Sequence, residues 1–279
     1  MIPFNFIYYR PDSLQEAADI YSTLQSKGQK AVYFAGGSEI ITMCRTGSIQ
    51  PKAVIDIKNI PECGLLSLYN QKLQIGSVCT LNQISESKLF PLMRLACGRI
   101  ADHTNQCRIT LGGNLCGSII YRETSLPLLL ADAEITLYGP EGERTVPLRS
   151  VFYQCMQLKP GEMIVQVQIP VWALSARHYH IKKTANEKID YPLVSVAAIC
   201  KDSKLRLAFS GICSYPFRSE QMESALNQQT KSFEERVKQA AELLPEPVYA
   251  DAEGSGEYRL FVFKNTLRQL LEDWDNGKI

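Results

Sequence analysis

Phe34-Ala35-Gly36-Gly37-Ser38-Glu39 and Arg108-Ile109-Thr110-Leu111-Gly112-Gly113-Asn114-Leu115 are the two stretches on which the reading of this sequence turns. Each carries a Gly-Gly pair after a β-like run, flanked by short hydroxyl or amide side chains. Paired glycines at a strand end admit positive φ and carry no Cβ, so successive backbone N–H groups can converge on an anion. A single pair of this kind is most often a turn. Two of them, each beside donors suited to phosphate oxygens, point to a bound diphosphate.

The better-known phosphate folds do not fit. A P-loop needs G-x-x-x-x-G-K-S/T, with the lysine reaching the terminal phosphates, and no such stretch occurs. A dinucleotide fold of Rossmann type needs G-x-G-x-x-G between a strand and a helix, and that spacing is also missing. Two neutral loops suggest a diphosphate held by N–H and hydroxyl donors, and so a retained cofactor rather than a nucleotide being hydrolysed.

Outward from the first loop, Ser13 and Glu16 have capping-box spacing, Leu14, Ala17, Ala18, Tyr21 and Leu24 form a helical stripe, and Gly28 ends the helix. Lys30 to Phe34 and Ala53 to Ile57 read as strands, which makes the first ~55 residues a small βαβ-like unit. Strands are expected at Lys72 to Gly76, Glu134 to Tyr138 and Met163 to Ile169, with helical stretches near Thr80 to Ser87 and Leu92 to Asp102. Beyond Pro170, Leu193 to Cys200 and Lys204 to Ser210 form a hairpin around Lys201-Asp202-Ser203. Helices are expected over Arg218 to Gln228, Ser232 to Leu244 and Tyr258 to Trp274.

Composition bounds the function classes. In 279 residues, 45% are hydrophobic, 21% are charged and the formal net charge is +1, so neither nucleic acid nor a membrane surface is an expected partner. No apolar run approaches the ~18–20 residues of a membrane span. The N-terminus lacks the pattern of a signal peptide, and a cytoplasmic location follows as the default. The nine cysteines include no C-x-x-C pair, which argues against zinc ribbons and iron–sulfur sites and for packing thiols in a reducing compartment. His178 and His180 share one side of a strand but lack a third ligand in sequence, so no metal is assigned.

With these residues in view, the sequence resembles the FAD-binding, or medium, subunits of molybdenum hydroxylases of the xanthine dehydrogenase and carbon monoxide dehydrogenase type. The likeness is carried by Phe6 to Ala17, Phe34 to Glu39, Leu73 to Ser77, Arg108 to Leu115, Pro127 to Ala133, Gly161 to Ile164, Asp190 to Ala197 and Gly211 to Leu226, and so by nearly the whole chain. It implies an α+β fold: two α/β FAD-binding subdomains of vanillyl-alcohol-oxidase-like type, at 1–55 and 56–172, then a C-terminal domain at 173–279 with a small antiparallel sheet and helices.

It also implies that Tyr33, Phe34, Ala35, Gly36, Gly37, Ser38, Glu39 and Ile40, with Thr110, Leu111, Gly112, Gly113 and Asn114, wrap the FAD pyrophosphate and ribityl chain. The family's ribityl-binding aspartate falls on Glu123, which keeps the charge but adds a methylene. Ile164, Lys182 and Tyr191 fall where relatives have an apolar residue, a lysine and an aromatic near the flavin ring. Each has a plainer reading, as a core strand residue, a solvated Lys182-Lys183 pair and a packing aromatic.

The implied partners are a molybdenum-cofactor subunit and a subunit with [2Fe–2S] clusters. Electrons would pass through FAD to NAD+ or another acceptor. Two other readings stay open: a stand-alone flavin oxidoreductase, and a non-catalytic scaffold that retains the fold.

Overall fold

The computed structural model describes residues 1–187 and 189–277, in two compact units that each draw on separated stretches of chain. One consists of Met1–Ser87, His103–Gly117 and Asp132–Val171; the other consists of Lys88–Asp102, Ser118–Ala131 and Trp172–Ile279.

The first unit opens with a strand, Ile7–Tyr9, that the sequence reading did not place. Three residues with mostly exposed side chains give no periodic signal to read. The helix Leu14–Ser26 buries Leu14, Ala17, Ala18 and Leu24, and Ser13 Oγ accepts the Glu16 N–H at 3.2 Å. The Glu16 carboxylate reaches back to the N–H of Asp12 rather than that of Ser13, so the expected capping box closes one residue early. Strand Ala31–Phe34, helix Ser38–Thr46 and strand Ala53–Asp56 then form a β-α-β unit.

The three strands make a parallel sheet with Ala53–Asp56 in the centre, flanked by Ile7–Tyr9 and Ala31–Phe34. All four residues of the central strand are buried, which accounts for the unbroken apolar run Ala53-Val54-Ile55. Phe34 and Asp56 lie side by side in register at the carboxyl ends of their strands. That edge is where open α/β sheets bind ligands, and the first glycine pair lies on it.

The unit's second sheet is antiparallel, in the order Leu66–Tyr69, Lys72–Gly76, Met163–Pro170, Glu134–Gly139 and Gly142–Pro147. Its middle strand contributes Met163 and Val165 to the core built by Leu14, Ile55 and Ile60, which ties the two sheets together.

The second unit carries an antiparallel sheet of His178–Thr184, Pro192–Lys201, Lys204–Ser210 and Phe217–Arg218, in that order. The expected hairpin closes on Asp202 and Ser203, whose φ values of 51° and 59° are those of a two-residue turn matched to strand twist. Helices Glu220–Leu226, Phe233–Glu242 and Gly256–Asp275 cover the sheet, and Phe209, Phe263, Leu267 and Leu271 meet in its core. Ser232 and Glu235 make a complete capping box. The fold class is α+β, with a small antiparallel sheet and helices following the two α/β layers. Among the described residues, no helix is long and apolar enough to cross a membrane.

Buried charge is handled by close pairing. Arg259, wholly buried, donates to the carbonyls of Pro192, Leu193 and Gly211 and to the Asp251 carboxylate at 2.6 Å. Arg99 Nη1 lies 2.8 Å from His180 Nδ1 and donates to the His180 carbonyl. A guanidinium can only donate, so Nδ1 accepts and the ring is neutral.

Burial first, then the charges of Arg99 and Lys182, push the His180 pKa down to about 3. Below its ordinary pKa of about 6.5, the unfolded chain takes up a proton that the native chain refuses, so stability falls from pH 6.5 downward. Between pH 7 and pH 5 this residue alone is expected to cost about 2 kcal/mol. Urea unfolding at the two pH values should show that difference shrinking by about this amount in His180→Asn, whose amide oxygen can still accept from Arg99. An unchanged difference would refute it.

Candidate functional site

The two glycine pairs meet in the first unit, but they do different jobs. Gly36 packs on the chain leading into the second pair: a Cβ there would stand 1.9 Å from the Arg108 carbonyl oxygen and 3.3 Å from Thr110 Cγ2. Gly37 has φ +72°, and a Cβ there would enter the Phe34 ring at 2.3 Å. The loops touch a second time farther on, where a Cβ on Gly117 would meet Glu39 Oε2 at 2.9 Å. Only residues without side chains allow backbone this close.

Gly37 is also the N-cap of the helix Ser38–Thr46, which has no side-chain cap. The first-turn N–H groups of a helix are otherwise unpaired, and with the helix dipole they make a site for an anion. Glycine at the cap supplies no competing oxygen.

The second pair departs from expectation. Instead of a loop at a strand end, Gly112 and Gly113 lie in the first turn of the helix Leu111–Cys116, after a short helix at His103–Gln106. The β character of Arg108-Ile109-Thr110 is limited to a single bridge between Thr110 and Thr80. The alternation had no neighbouring strand to pair with.

The N–H groups of this turn are spent inside the protein. Leu111 donates to Cys79 O at 2.9 Å and Gly112 to Ser77 O at 2.8 Å. Gly113 donates to the capping Thr110 Oγ1 at 3.3 Å, and Asn114 to Thr110 O at 2.8 Å. Gly112 is buried, and a Cβ there would stand 2.8 Å from Ser77 Cβ, so this glycine is required by packing. Gly113 is exposed, and its Cβ would meet only Thr110 Oγ1, at 2.9 Å.

The remaining residues singled out from sequence divide between the units. Tyr33 stacks on Tyr21 at 5.4 Å and donates to Gly161 O at 3.0 Å. Ser38 is exposed at the start of its helix, with Ile40 half-buried behind it. Ile164 is buried in the middle strand of the five-stranded sheet, in register with Leu137.

In the second unit, Glu123 and Lys182, which the sequence reading treated separately, form one ion pair. Lys182 Nζ is 2.9 Å from Glu123 Oε2 and donates to Arg99 O at 2.8 Å. The side chains are only 5% and 4% exposed, so Lys182 is not half of a solvated pair with the exposed Lys183. Glu123 Oε1 is buried and has no hydrogen-bond partner, so it can accept one more donor, such as a polyol hydroxyl. Tyr191 is 52% exposed and stacks on Tyr121 at 5.0 Å between ring centres. Among the described residues, no group of three or more His, Cys, Asp or Glu side chains could hold a metal ion.

Two features at the site have no role in the expectation from sequence: Ser77, whose backbone anchors Gly112, and the pair Asp56 and Lys58 beside the first loop. An acid closing the apolar run Ala53-Val54-Ile55 was the available signal for the latter.

Comparisons with known proteins agree on one family. Residues 3–172 match the family described as the FAD binding domain in molybdopterin dehydrogenase. The chain is 27% identical to the carbon monoxide dehydrogenase medium chain of Hydrogenophaga pseudoflava, over 97% of each chain. It is 24% identical to a xanthine dehydrogenase FAD-binding subunit of Escherichia coli, over 95% of this chain and 94% of that one. The solved carbon monoxide dehydrogenase from Hydrogenophaga pseudoflava that lacks the Mo-pyranopterin moiety of its molybdenum cofactor superposes with a TM-score of 0.85. Identity there is 25%, over 96% of both chains.

The buried pair can be tested directly. Lys182→Met leaves the Glu123 carboxylate buried without a cation and should lower the unfolding free energy by about 3 kcal/mol. Combining it with Glu123→Gln removes the charge and should recover most of that loss. Simple addition of the two single effects, measured by chemical denaturation, would mean that the pair is not coupled.

Proposed function

This chain belongs to the FAD-binding family of the molybdopterin dehydrogenases, with FAD as its cofactor, and we propose that it is the flavin subunit of a multi-subunit molybdenum hydroxylase of xanthine dehydrogenase type. Its partners in this reading are a molybdenum-cofactor subunit and a [2Fe–2S] subunit, and electrons from the clusters pass through FAD to NAD+ or another acceptor. When bound, FAD supplies the redox chemistry, and the chain supplies binding, orientation and access.

The observation that carries the reading is the contact between the glycine loops. Gly36 against the Arg108 carbonyl sets the capless N-terminus of Ser38–Thr46 beside Thr110, where N–H and hydroxyl donors suit a diphosphate. Tyr33 to Ile40 and Thr110 to Asn114 are the proposed pyrophosphate and ribityl contacts. Within that set the work is divided. Tyr33 fixes its strand through Gly161, Gly112 seats the second helix on Ser77, and the exposed Gly113 gives a ligand close access to the backbone.

Glu123 offers Oε1 to a ribityl hydroxyl while Lys182 holds its other oxygen, so the pair presents an acceptor without a net charge. Ile164 and Tyr191 are proposed as the apolar and aromatic neighbours of the flavin ring. The same reading assigns 1–55 and 56–172 to the FAD-binding subdomains, 173–279 to the C-terminal domain, and the protein to the cytoplasm. The relatives named as a medium chain and as an FAD-binding subunit support the assignment to a larger assembly.

The test uses the chain tagged in its native host. Co-purification with a molybdenum subunit and a [2Fe–2S] subunit is expected, with flavin absorbance bleached by the complex's substrate and restored by NAD+. A chain that turns over an organic substrate by itself would be a stand-alone flavin enzyme and would overturn the subunit reading. Reoxidation by oxygen but not by NAD+ would overturn the choice of acceptor.

A further inference from the structure

At the carboxyl end of the central parallel strand sits a carboxylate in an unusual position. The Asp56 side chain is 3% exposed, and each of its oxygens is engaged. Oδ1 accepts the backbone N–H of Lys58 at 3.1 Å, capping the short turn Ile57–Asn59. Oδ2 accepts the Tyr8 hydroxyl, from the neighbouring strand, and Lys58 Nζ at 2.6 Å. Burial by itself would raise the pKa of this carboxyl, but the hydrogen bonds from Lys58 and Tyr8 outweigh it and hold the group below the usual carboxylate range.

Capping a three-residue turn would need only Oδ1. The rest of the cluster points at the first glycine loop. Lys58 Nζ also donates to the carbonyl of Ala35, the residue before Gly36, at 3.0 Å, and lies 4.6 Å from the centre of the Phe34 ring. Phe34 is the ring against which Gly37 packs. One ammonium thus grips the last strand residue and the first loop residue, while its charge is matched by a buried carboxylate on the adjacent strand. Turning the Ala35 carbonyl toward Lys58 fixes the peptide plane between Ala35 and Gly36, and with it the direction of the Gly36 N–H, because the two groups share a plane.

We infer that Asp56 and Lys58 are positioning residues for the diphosphate loop, holding the Ala35 carbonyl away from the ligand so that the N–H groups from Gly36 onward face it. Without the ammonium the carbonyl would be free to turn its partial negative charge toward the phosphates. The inference rests on the FAD reading and adds to it a cation that acts through the loop rather than on the phosphates.

The test is FAD titration of the purified full-length apo chain, followed by flavin fluorescence, for wild type, Lys58→Met and Lys58→Arg. Lys58→Met is expected to weaken FAD binding at least tenfold, and Lys58→Arg, which can still bridge Asp56 and the Ala35 carbonyl, to restore most of it. The far-ultraviolet circular dichroism of all three should match. Should Lys58→Met fail to fold, Lys58→Gln carries the same expectation, since it lacks the charge that satisfies Asp56.

The salt dependence of affinity separates positioning from direct contact. The slope of log Kd against log salt should be the same in the variant as in wild type, because a positioning lysine does not meet the phosphates. A reduced slope would overturn the inference in favour of direct contact, and unchanged affinity in Lys58→Met would overturn it outright. Wild-type protein that binds no FAD would instead remove the reading on which the inference stands.

Discussion

The close approach of backbone to backbone at Gly36 and Arg108 is the constraint on which the rest of this structure depends. Any side chain at Gly36 would overlap the Arg108 carbonyl oxygen, so the two loops can meet only if this position has no Cβ. The meeting joins a parallel β-α-β layer to a helix that arrives much later in the chain. Gly112 makes a second close approach, from the first turn of that helix to Ser77. Gly36, Gly37 and Gly112 are therefore first of all packing residues, and the geometry proposed for anion binding follows from that packing.

Electrostatics complete what packing begins. Each unit holds a buried carboxylate tied to a lysine: Asp56 to the exposed Lys58 in the first, Glu123 to the buried Lys182 in the second. A buried ion pair contributes little net stability, because desolvation offsets most of the attraction, but it fixes geometry firmly, since breaking it strands a charge. That trade suits a site whose task is to hold a cofactor in one orientation. His180, kept neutral beside Arg99, belongs to the same pattern.

Much of the fold was legible because its signals are local. The stripe from Leu14 to Leu24, the alternation at Lys72 to Gly76 and Met163 to Ile169, and the turn between Lys201 and Lys204 all report on nearest neighbours in sequence, and all have counterparts in the structure. What was not legible depended on tertiary partners. Ile7–Tyr9 is a strand only because Ala53–Asp56 lies beside it. Arg108-Ile109-Thr110 alternates like a strand but finds only one bridge, and the glycines after it fall into a helix. The proposed cofactor contacts come from family resemblance in the spacing of two loops. The pairing of Glu123 with Lys182, and of Lys58 with the Ala35 carbonyl, joins positions that no sequence period connects.

The division of labour between the two glycine pairs gives the account its most direct test, a titration of FAD against the purified chain and against Gly113→Val. A Cβ at Gly113 presses only on the Thr110 hydroxyl, so the variant should fold, while its branched side chain would stand where a ligand must approach the backbone. The expected result is a yellow wild-type protein with one FAD per chain and a folded variant that binds none. A wild-type chain that is colourless and cannot be reconstituted, or a variant that holds FAD as wild type does, would contradict it.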